Sequence, residues 1–516
     1  MREQVKTVRL ILLIALSFFL MNLVGLDRSP VVWFDEVSLN DPAKELARNG
    51  LLRSSVFAME PGEKYSSPPP ISILVDSPSP GFFYQDRGFG KAFFWLPPLQ
   101  QLITAGCYRL FGFGIWQTRI PPLIFGGFAI VLLGLISLRI FGSRLAAVIS
   151  SLIFALNPKF IQTARAGRMD AQCFFFVFLG LYLYLKFKDD KRNFLIVLSG
   201  LMVGLAGVTH PAAVSWAIAI GVLLLLFEAE KRVRSFILFA VFASLPPLLW
   251  LSYGFYFYPR LLLEQFFLHG SGRIIRGGPL HRLASEFSNY LAGYKLVPLL
   301  IFAYIGAVIW LLIKLKDKKG FSRSLFVLFS LVFFFNAFFM VKKNSYTLYP
   351  LSILTLVIGA YLSSFLPAGK SSPRLRKLAL IFVVLLFGNI IAGGIGARYL
   401  TLAYQWRARD RKIQLETPFK EIVPRGSLIW GRPEVWYAAE KNGSHLRLSG
   451  QPEAKRHHFA IVRPGAIEEK LVEKKGGFSK VRELGEPLPP LLGRIKLPSA
   501  DYRLNIWRSD DLFSKR

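Results

Sequence analysis

Eleven apolar runs, most near the length that crosses a bilayer, set the limits on what this chain can fold into. They fall at about 8–26, 119–140, 144–161, 172–187, 194–209, 211–228, 235–257, 297–315, 322–341, 346–366 and 377–398. A helix needs roughly 20 apolar residues to span the hydrocarbon core. A soluble core has no use for so many uninterrupted Leu, Ile, Val and Phe stretches, and a β-barrel would show shorter alternating segments. With 53% hydrophobic residues over 516 positions, the chain reads as a polytopic all-α membrane protein. Its first run resembles a signal peptide, but no small-x-small cleavage site follows it. It is therefore expected to be an uncleaved first helix with its basic start in the cytoplasm.

Topology turns on residues 93–113. Pro97-Pro98, Gln100-Gln101 and Arg109 favour a helix lying along the interface rather than crossing it. The basic turns at 139–144, 186–192, 228–234, 314–319 and 370–377 then all become cytoplasmic, as the positive-inside rule asks. Eleven spans result, with residues 27–118 forming an outer loop with juxtamembrane helices. Within that loop Asp41-Pro42 reads as an N-cap and first helical residue, and Gly50 as a stop, for a short helix at 42–49. Residues 1–399 form the membrane domain. Residues 400–516, with Gly431-Arg432-Pro433, the alternation Leu446-Arg447-Leu448 and a helix-like 466–474, read as a small extracytoplasmic α/β domain. The net charge of +32 belongs largely to these loops, so it points to topology and anionic lipid rather than nucleic acid. Cys107 and Cys173 lie in apolar segments without metal-ligand spacing.

Polar groups collect on the outer side. Asp35-Glu36 follows the first span; a carboxylate there can act as a general base or hold a metal, or simply form a solvated turn. Arg165, Arg168 and Asp170 head a hydrophobic helix. Arginine suits bidentate phosphate binding, and the aspartate can orient substrate or position an arginine; snorkelling anchors are the plainer alternative. His210, in Thr-His-Pro, is a cap or a substrate contact. Lys342-Lys343 runs against the positive-inside trend, which an anionic substrate would explain. The loop 258–296 carries Arg273 and Arg276 among glycines and suits a mobile phosphate-binding lid or a disordered segment. His457-His458 lacks a third ligand and reads as surface.

Several stretches, in this order and spacing, resemble a known family. They are Asp35-Glu36, Pro97-Pro98-Leu99, Arg109-Leu110-Phe111-Gly112, Thr118-Arg119-Ile120-Pro121, Asn157-Pro158, Ala164-Arg165 through Arg168-Met169-Asp170, Gly204 through Pro211, and Lys343 with Tyr346-Thr347-Leu348-Tyr349-Pro350. The chain is similar to the bacterial polyprenyl-phosphate-sugar glycosyltransferases of the GT-C fold. These are relatives of the dolichyl-phosphate-mannose protein mannosyltransferases and of the aminoarabinose transferase acting on lipid A. The resemblance implies that Asp35 is the catalytic carboxylate, that Asp170 shares its pocket, and that basic groups from several loops hold the donor phosphate. Two positions depart from the family's pattern. Leu96 stands where members acting on lipid A commonly place a lysine, with Lys91 as the substitute. Thr209-His210-Pro211 stands where lysine-glycine-proline is frequent.

The implied reaction is an inverting single displacement in the bacterial inner membrane. The donor is a polyprenyl-phosphate sugar, and the acceptor is a lipid, a glycan or a protein. Arg168, Lys343 and Arg273 or Arg276 neutralise the leaving phosphate, Asp35 is the base, and Glu36 orients the acceptor or binds an optional divalent metal. Arg165, His210, Tyr346 and Lys91 complete the expected substrate contacts. Two rivals remain: a transporter or flippase of a lipid-linked or anionic substrate, and a noncatalytic scaffold. Transporters place polar groups at midplane between repeated halves, whereas these cluster at the outer ends. A scaffold gives Asp35 and Asp170 no reason to meet.

Overall fold

The computed structural model describes residues 2–58, 88–228, 232–268, 278–316, 321–340, 345–366, 372–448, 453–486 and 502–513. Among these, seven helices are long and apolar enough to cross a membrane: Glu3–Leu23, Ile115–Phe141, Asp170–Asp190, Arg232–Phe257, Ser322–Phe339, Leu348–Phe365 and Pro373–Tyr404. The bent pair Arg144–Leu156 and Pro158–Arg165, meeting at 58°, makes an eighth if taken as one span. Three shorter apolar helices, Asn193–Gly207, Ala213–Phe227 and Pro298–Lys314, fill the remaining apolar runs. Each run thus has its helix. Fifteen residues rise only about 23 Å, so length alone counts seven or eight crossings among the described residues.

The expected unbroken span 144–161 is corrected to this bent pair. Proline drives the preceding residue out of the helical region, and Asn157 sits at φ −61°, ψ 120°. Its side chain caps the second helix by accepting from the N–H groups of Lys159 and Phe160. The 93–113 segment gives the helix Leu99–Phe111, too short at 13 residues to span. It buries Gln100, Gln101 and Thr104 and turns Leu102, Leu110 and Phe111 outward. Polar inside and apolar outside is the pattern of a helix set against a membrane.

A second correction concerns residues 34–49. They form one helix, Phe34–Asn49, with Pro42 inside it. Asp41 is therefore not a cap. Its carboxylate accepts from Ser54 Oγ (2.8 Å), the Ser55 N–H (2.7 Å) and the Val56 N–H (3.1 Å). Burial of Val37, Leu39 and Ala43 outweighs the local penalty of an interior proline. Gly50 ends the helix as expected, in the left-handed region at φ 71°. This early start places Asp35 and Glu36 in the helix's first turn.

The C-terminal region carries a five-stranded sheet of order β2-β1-β3-β5-β4. Its strands are β1 Leu428–Gly431, β2 His445–Arg447, β3 Phe459–Val462, β4 Phe478–Leu484 and β5 Leu504–Ser509. β1 runs parallel to β2 and β3, while β5 is antiparallel to β3 and β4. The sheet shares one hydrophobic core with the layer below it: Ile429, Trp436, Tyr437 and Phe459 pack with Val32, Val37, Phe57 and Trp95. His457 proves buried rather than exposed, because its Nδ1 accepts from the Glu453 N–H.

A buried ion cluster fastens the two regions. Lys44 Nζ lies 2.8 Å from Asp41, 2.6 Å from Glu440 and 3.4 Å from Glu45. Burial alone would raise the Asp41 pKa, but the Lys44 charge and hydrogen bonds from Lys44, Val56 and Ser54 hold it below its ordinary 3.8. Burial would lower Lys44, but Asp41 and Glu440 raise it above 10.5. The Asp41 contribution to stability is thus present above pH 3.8 and is lost as pH falls through its lower folded value. The Lys44 contribution is present below pH 10.5 and is lost as pH rises through its higher one. Thermal melts should therefore show this cluster intact from about pH 5 to 9, with an acid limb that Asp41→Asn makes shallower.

Candidate active site

Asp35, Arg168 and Asp170 meet at the end of the bundle to which the Phe34–Asn49 helix is docked. Arg168 follows Gly167, whose φ of +60° turns the chain out of the Pro158–Arg165 helix. The same turn starts the Asp170–Asp190 helix two residues later. It is pinned by Asn40 Nδ2, which donates to Gly167 O (2.9 Å) and Glu36 O (2.6 Å). Gln100 Nε2 in turn donates to Asn40 Oδ1 (2.8 Å). A Cβ on Gly167 would lie 2.8 Å from Thr118 Cγ2 and 3.3 Å from Glu36 Cγ. Gly167→Ala should cost about 1–2 kcal/mol for the left-handed backbone alone, with the crowding added, and lower the melting temperature of the purified protein.

Arg168 is buried and bridges the two acids. Its Nε donates to Asp170 Oδ2 (2.8 Å), its Nη1 to Asp35 Oδ2, and its Nη2 to Ser345 Oγ (3.4 Å). The guanidinium also sits 5.4 Å from the Trp33 ring centroid. Burial opposes its charge, but the carboxylates of Asp170 and Asp35 overcome that and raise its pKa. The side chain of Asp35 is 17% exposed and that of Asp170 is sealed. Asp170 Oδ1 has no hydrogen-bond partner among the described residues.

Glu36 takes a different place from its neighbour. Fully buried, it receives Arg119 Nε (2.8 Å) and Nη2 (2.6 Å) and the Tyr437 hydroxyl (3.2 Å). Both carboxylate oxygens are thus engaged by a guanidinium, which does not suit a metal ligand. No group of three or more His, Cys, Asp or Glu is assembled among the described residues.

Arg165 is also taken out of the phosphate-binding set by its contacts. It is 1% exposed, and its donors reach the carbonyls of Asn22, Val24, Gly25 and Ser29. It caps the C-terminal end of the first helix. His210 is buried and uses Nδ1 to accept from the Ala212 N–H (2.9 Å). Its ring lies 5.1 Å from Tyr346 and 5.6 Å from Tyr349. Lys91 is exposed on the 88–91 turn, with no ion pair to Asp35 or Asp170 among the described residues. Lys343, Arg273 and Arg276 lie outside the described residues.

Sequence reasoning assigned no role to Arg119, Asn40, Gln100, Ser345 or Tyr437. Arg119 carried a signal, since an arginine inside an apolar helix calls for a buried partner. Tyr437 carried none, because its role depends on a contact 401 residues away in the chain.

The chain matches the family model of dolichyl-phosphate-mannose-protein mannosyltransferase over residues 96–252. An uncharacterized protein of Aquifex aeolicus is 26% identical over 292 residues, 56% of each chain. Dolichyl-phosphooligosaccharide-protein glycotransferase 2 of Archaeoglobus fulgidus is 28% identical over 168 residues, 32% of this chain and 27% of that one. The chain thus spans about half or less of the length of these curated relatives. Among solved structures, ArnT from Cupriavidus metallidurans bound to undecaprenyl phosphate superposes with a TM-score of 0.58 at 15% identity. That match covers 96% of this chain and 97% of ArnT. The chain is a multi-pass membrane protein of the GT-C fold, with residues 96–252 matching the dolichyl-phosphate-mannose-protein mannosyltransferase family model.

Proposed function

We propose that this protein is an inverting glycosyltransferase of the bacterial inner membrane. It would move a hexosyl or pentosyl group from a polyprenyl-phosphate donor to a lipid, glycan or protein acceptor on the extracytoplasmic side. The supporting observation is the division of labour among the acids of the layer. The side chains of Glu36, Asp41 and Asp170 are 0% exposed and locked in ion pairs, whereas Asp35, ion-paired with Arg168, is 17% exposed. A carboxylate fixed in place with an accessible edge is what a general base needs. The likeness to the mannosyltransferase family and to ArnT bound to undecaprenyl phosphate supports a lipid-phosphate donor.

In this reading the acceptor oxygen attacks the anomeric carbon on the face opposite the phosphate. Its proton passes to Asp35. The bond from the anomeric carbon to the phosphate oxygen breaks, and the polyprenyl phosphate leaves with the electron pair. Asp35 takes the proton as the acceptor oxygen bonds to the anomeric carbon. Arg168 acts as a positioning residue for Asp35, because Asp170 already shares its charge. Neutralising the leaving phosphate falls to Lys91, Lys343, Arg273 and Arg276. Asp170, sealed from solvent, fixes Arg168 from its other side, and the rings of His210 and Tyr346 pack against each other.

The test is transfer from a panel of radiolabelled polyprenyl-phosphate sugars in membranes carrying the protein. The anomeric configuration of the product would be read by NMR. One donor should be consumed, with inversion. Retention would overturn the single displacement, and failure with every donor would sink the transferase reading.

A further inference from the structure

One side-chain amide spans the two segments that meet at Asp35 and Arg168. Asn40 lies in the second turn of the Phe34–Asn49 helix and is fully buried. Both of its N–H groups are used. One reaches back to Glu36 O (2.6 Å), and the other crosses to Gly167 O (2.9 Å), 127 residues further along the chain. Glu36 follows Asp35, and Gly167 precedes Arg168. A single nitrogen therefore ties the backbone beside the acid to the backbone beside its arginine. The orientation of the amide is fixed, because turning it over would set its oxygen against two carbonyls.

The support for this amide comes from the Leu99–Phe111 helix. Gln100 Nε2 donates to Asn40 Oδ1 (2.8 Å) and to Thr104 Oγ1 (3.2 Å), and both Gln100 and Thr104 are buried. Further along the same pair of helices, Arg109 Nη2 donates to Leu46 O (3.1 Å). The Leu99 N–H donates to Val208 O (3.0 Å), just past the Asn193–Gly207 helix. The Phe34–Asn49 helix is thus held near its acid and toward its C-terminal end by a helix that is itself tied to the bundle. Asp170 cannot do this for Asp35. It lies two residues from Arg168 and fixes the guanidinium within its own turn, whereas Asn40 bridges the two turns.

We propose that Asn40 is a positioning residue for Asp35, held in place by Gln100. The inference rests on the reading of Asp35 as the base. A displacement of about 1 Å at a reacting group can cost about 10²-fold in rate, and losing the amide releases the turn that carries Asp35. Asn40 touches neither donor nor acceptor in this assignment, so its loss acts on turnover rather than on donor binding.

The test is steady-state sugar transfer by the full-length protein in membranes, with rates expressed per folded enzyme. Asn40→Ala should lower kcat about 10–100-fold, with KM for the donor near wild type. Gln100→Met leaves both Asn40 N–H bonds in place and should lower kcat by a smaller factor. Ser54→Ala is the control. It removes a hydrogen bond to Asp41 in the same helix, and should lower the melting temperature with kcat unchanged. Unchanged kcat in Asn40→Ala, a rise in KM alone, or an equal fall in Ser54→Ala overturns the proposal. Should Asn40→Ala not fold, Gln100→Met decides, and unchanged kcat there overturns it. Full transfer by Asp35→Asn, or none by the wild type, would instead remove the sugar-transfer reading on which the inference rests.

Discussion

Asp35→Asn should lower sugar transfer by about 10²–10⁴-fold, the range a positioned general base contributes. Protein level and melting temperature should stay near wild type. Asparagine keeps the side chain's shape and offers a carbonyl oxygen to Arg168 Nη1, while Arg168 keeps its full ion pair with Asp170. The carboxylate charge, and with it the proton acceptor, is lost. Initial rates at saturating donor, with donor binding measured in parallel, separate the outcomes. Lost turnover with retained binding identifies the base, whereas residual activity above about a tenth of wild type would place the proton elsewhere.

The adjacent acid should behave in the opposite way. Glu36→Gln leaves Arg119 buried without a counter-charge, and breaking such a pair costs about 3–5 kcal/mol. The expected result is a large drop in melting temperature and in the amount of folded protein. Replacing both partners, as in Glu36→Gln/Arg119→Met, should recover most of that loss because no charge is left stranded. A double-mutant cycle on thermal unfolding measures the coupling. Additive single effects would mean that the Arg119 pair, despite its two short hydrogen bonds, contributes little. Two acids side by side in sequence are thus distinguished by readout, one kinetic and one structural.

The architecture was legible where physics is local. Apolar runs located the helices, Pro97-Pro98 with the charge pattern marked the non-spanning segment, and the 165–170 turn was singled out before its geometry was known. Asn157-Pro158 announced the break in the third apolar run, and only the continuity of hydrophobicity around it hid that. The Asp41-Pro42 signal misled because a cap motif was overruled by burial of the apolar face of a longer helix. The roles of the arginines were less legible. Arg165 and Arg168 are the same residue type three positions apart, yet one caps a helix and the other bridges two carboxylates. Which does which depends on the positions of residues 22–29 and 35 in space.

The long-range fastening between the Phe34–Asn49 helix and the C-terminal region also has a temporal meaning. Lys44 and Glu440 are 396 residues apart in the chain. At synthesis rates of about 5–20 residues per second, roughly 20–80 s separate their emergence from the ribosome. Through that interval Lys44 and the Glu36–Arg119 pair await Glu440 and Tyr437 in a half-built layer. Closure of residues 436–441 onto it is therefore a late step in biogenesis, and a nascent chain stalled before them would leave Glu36 and Lys44 without their Tyr437 and Glu440 partners.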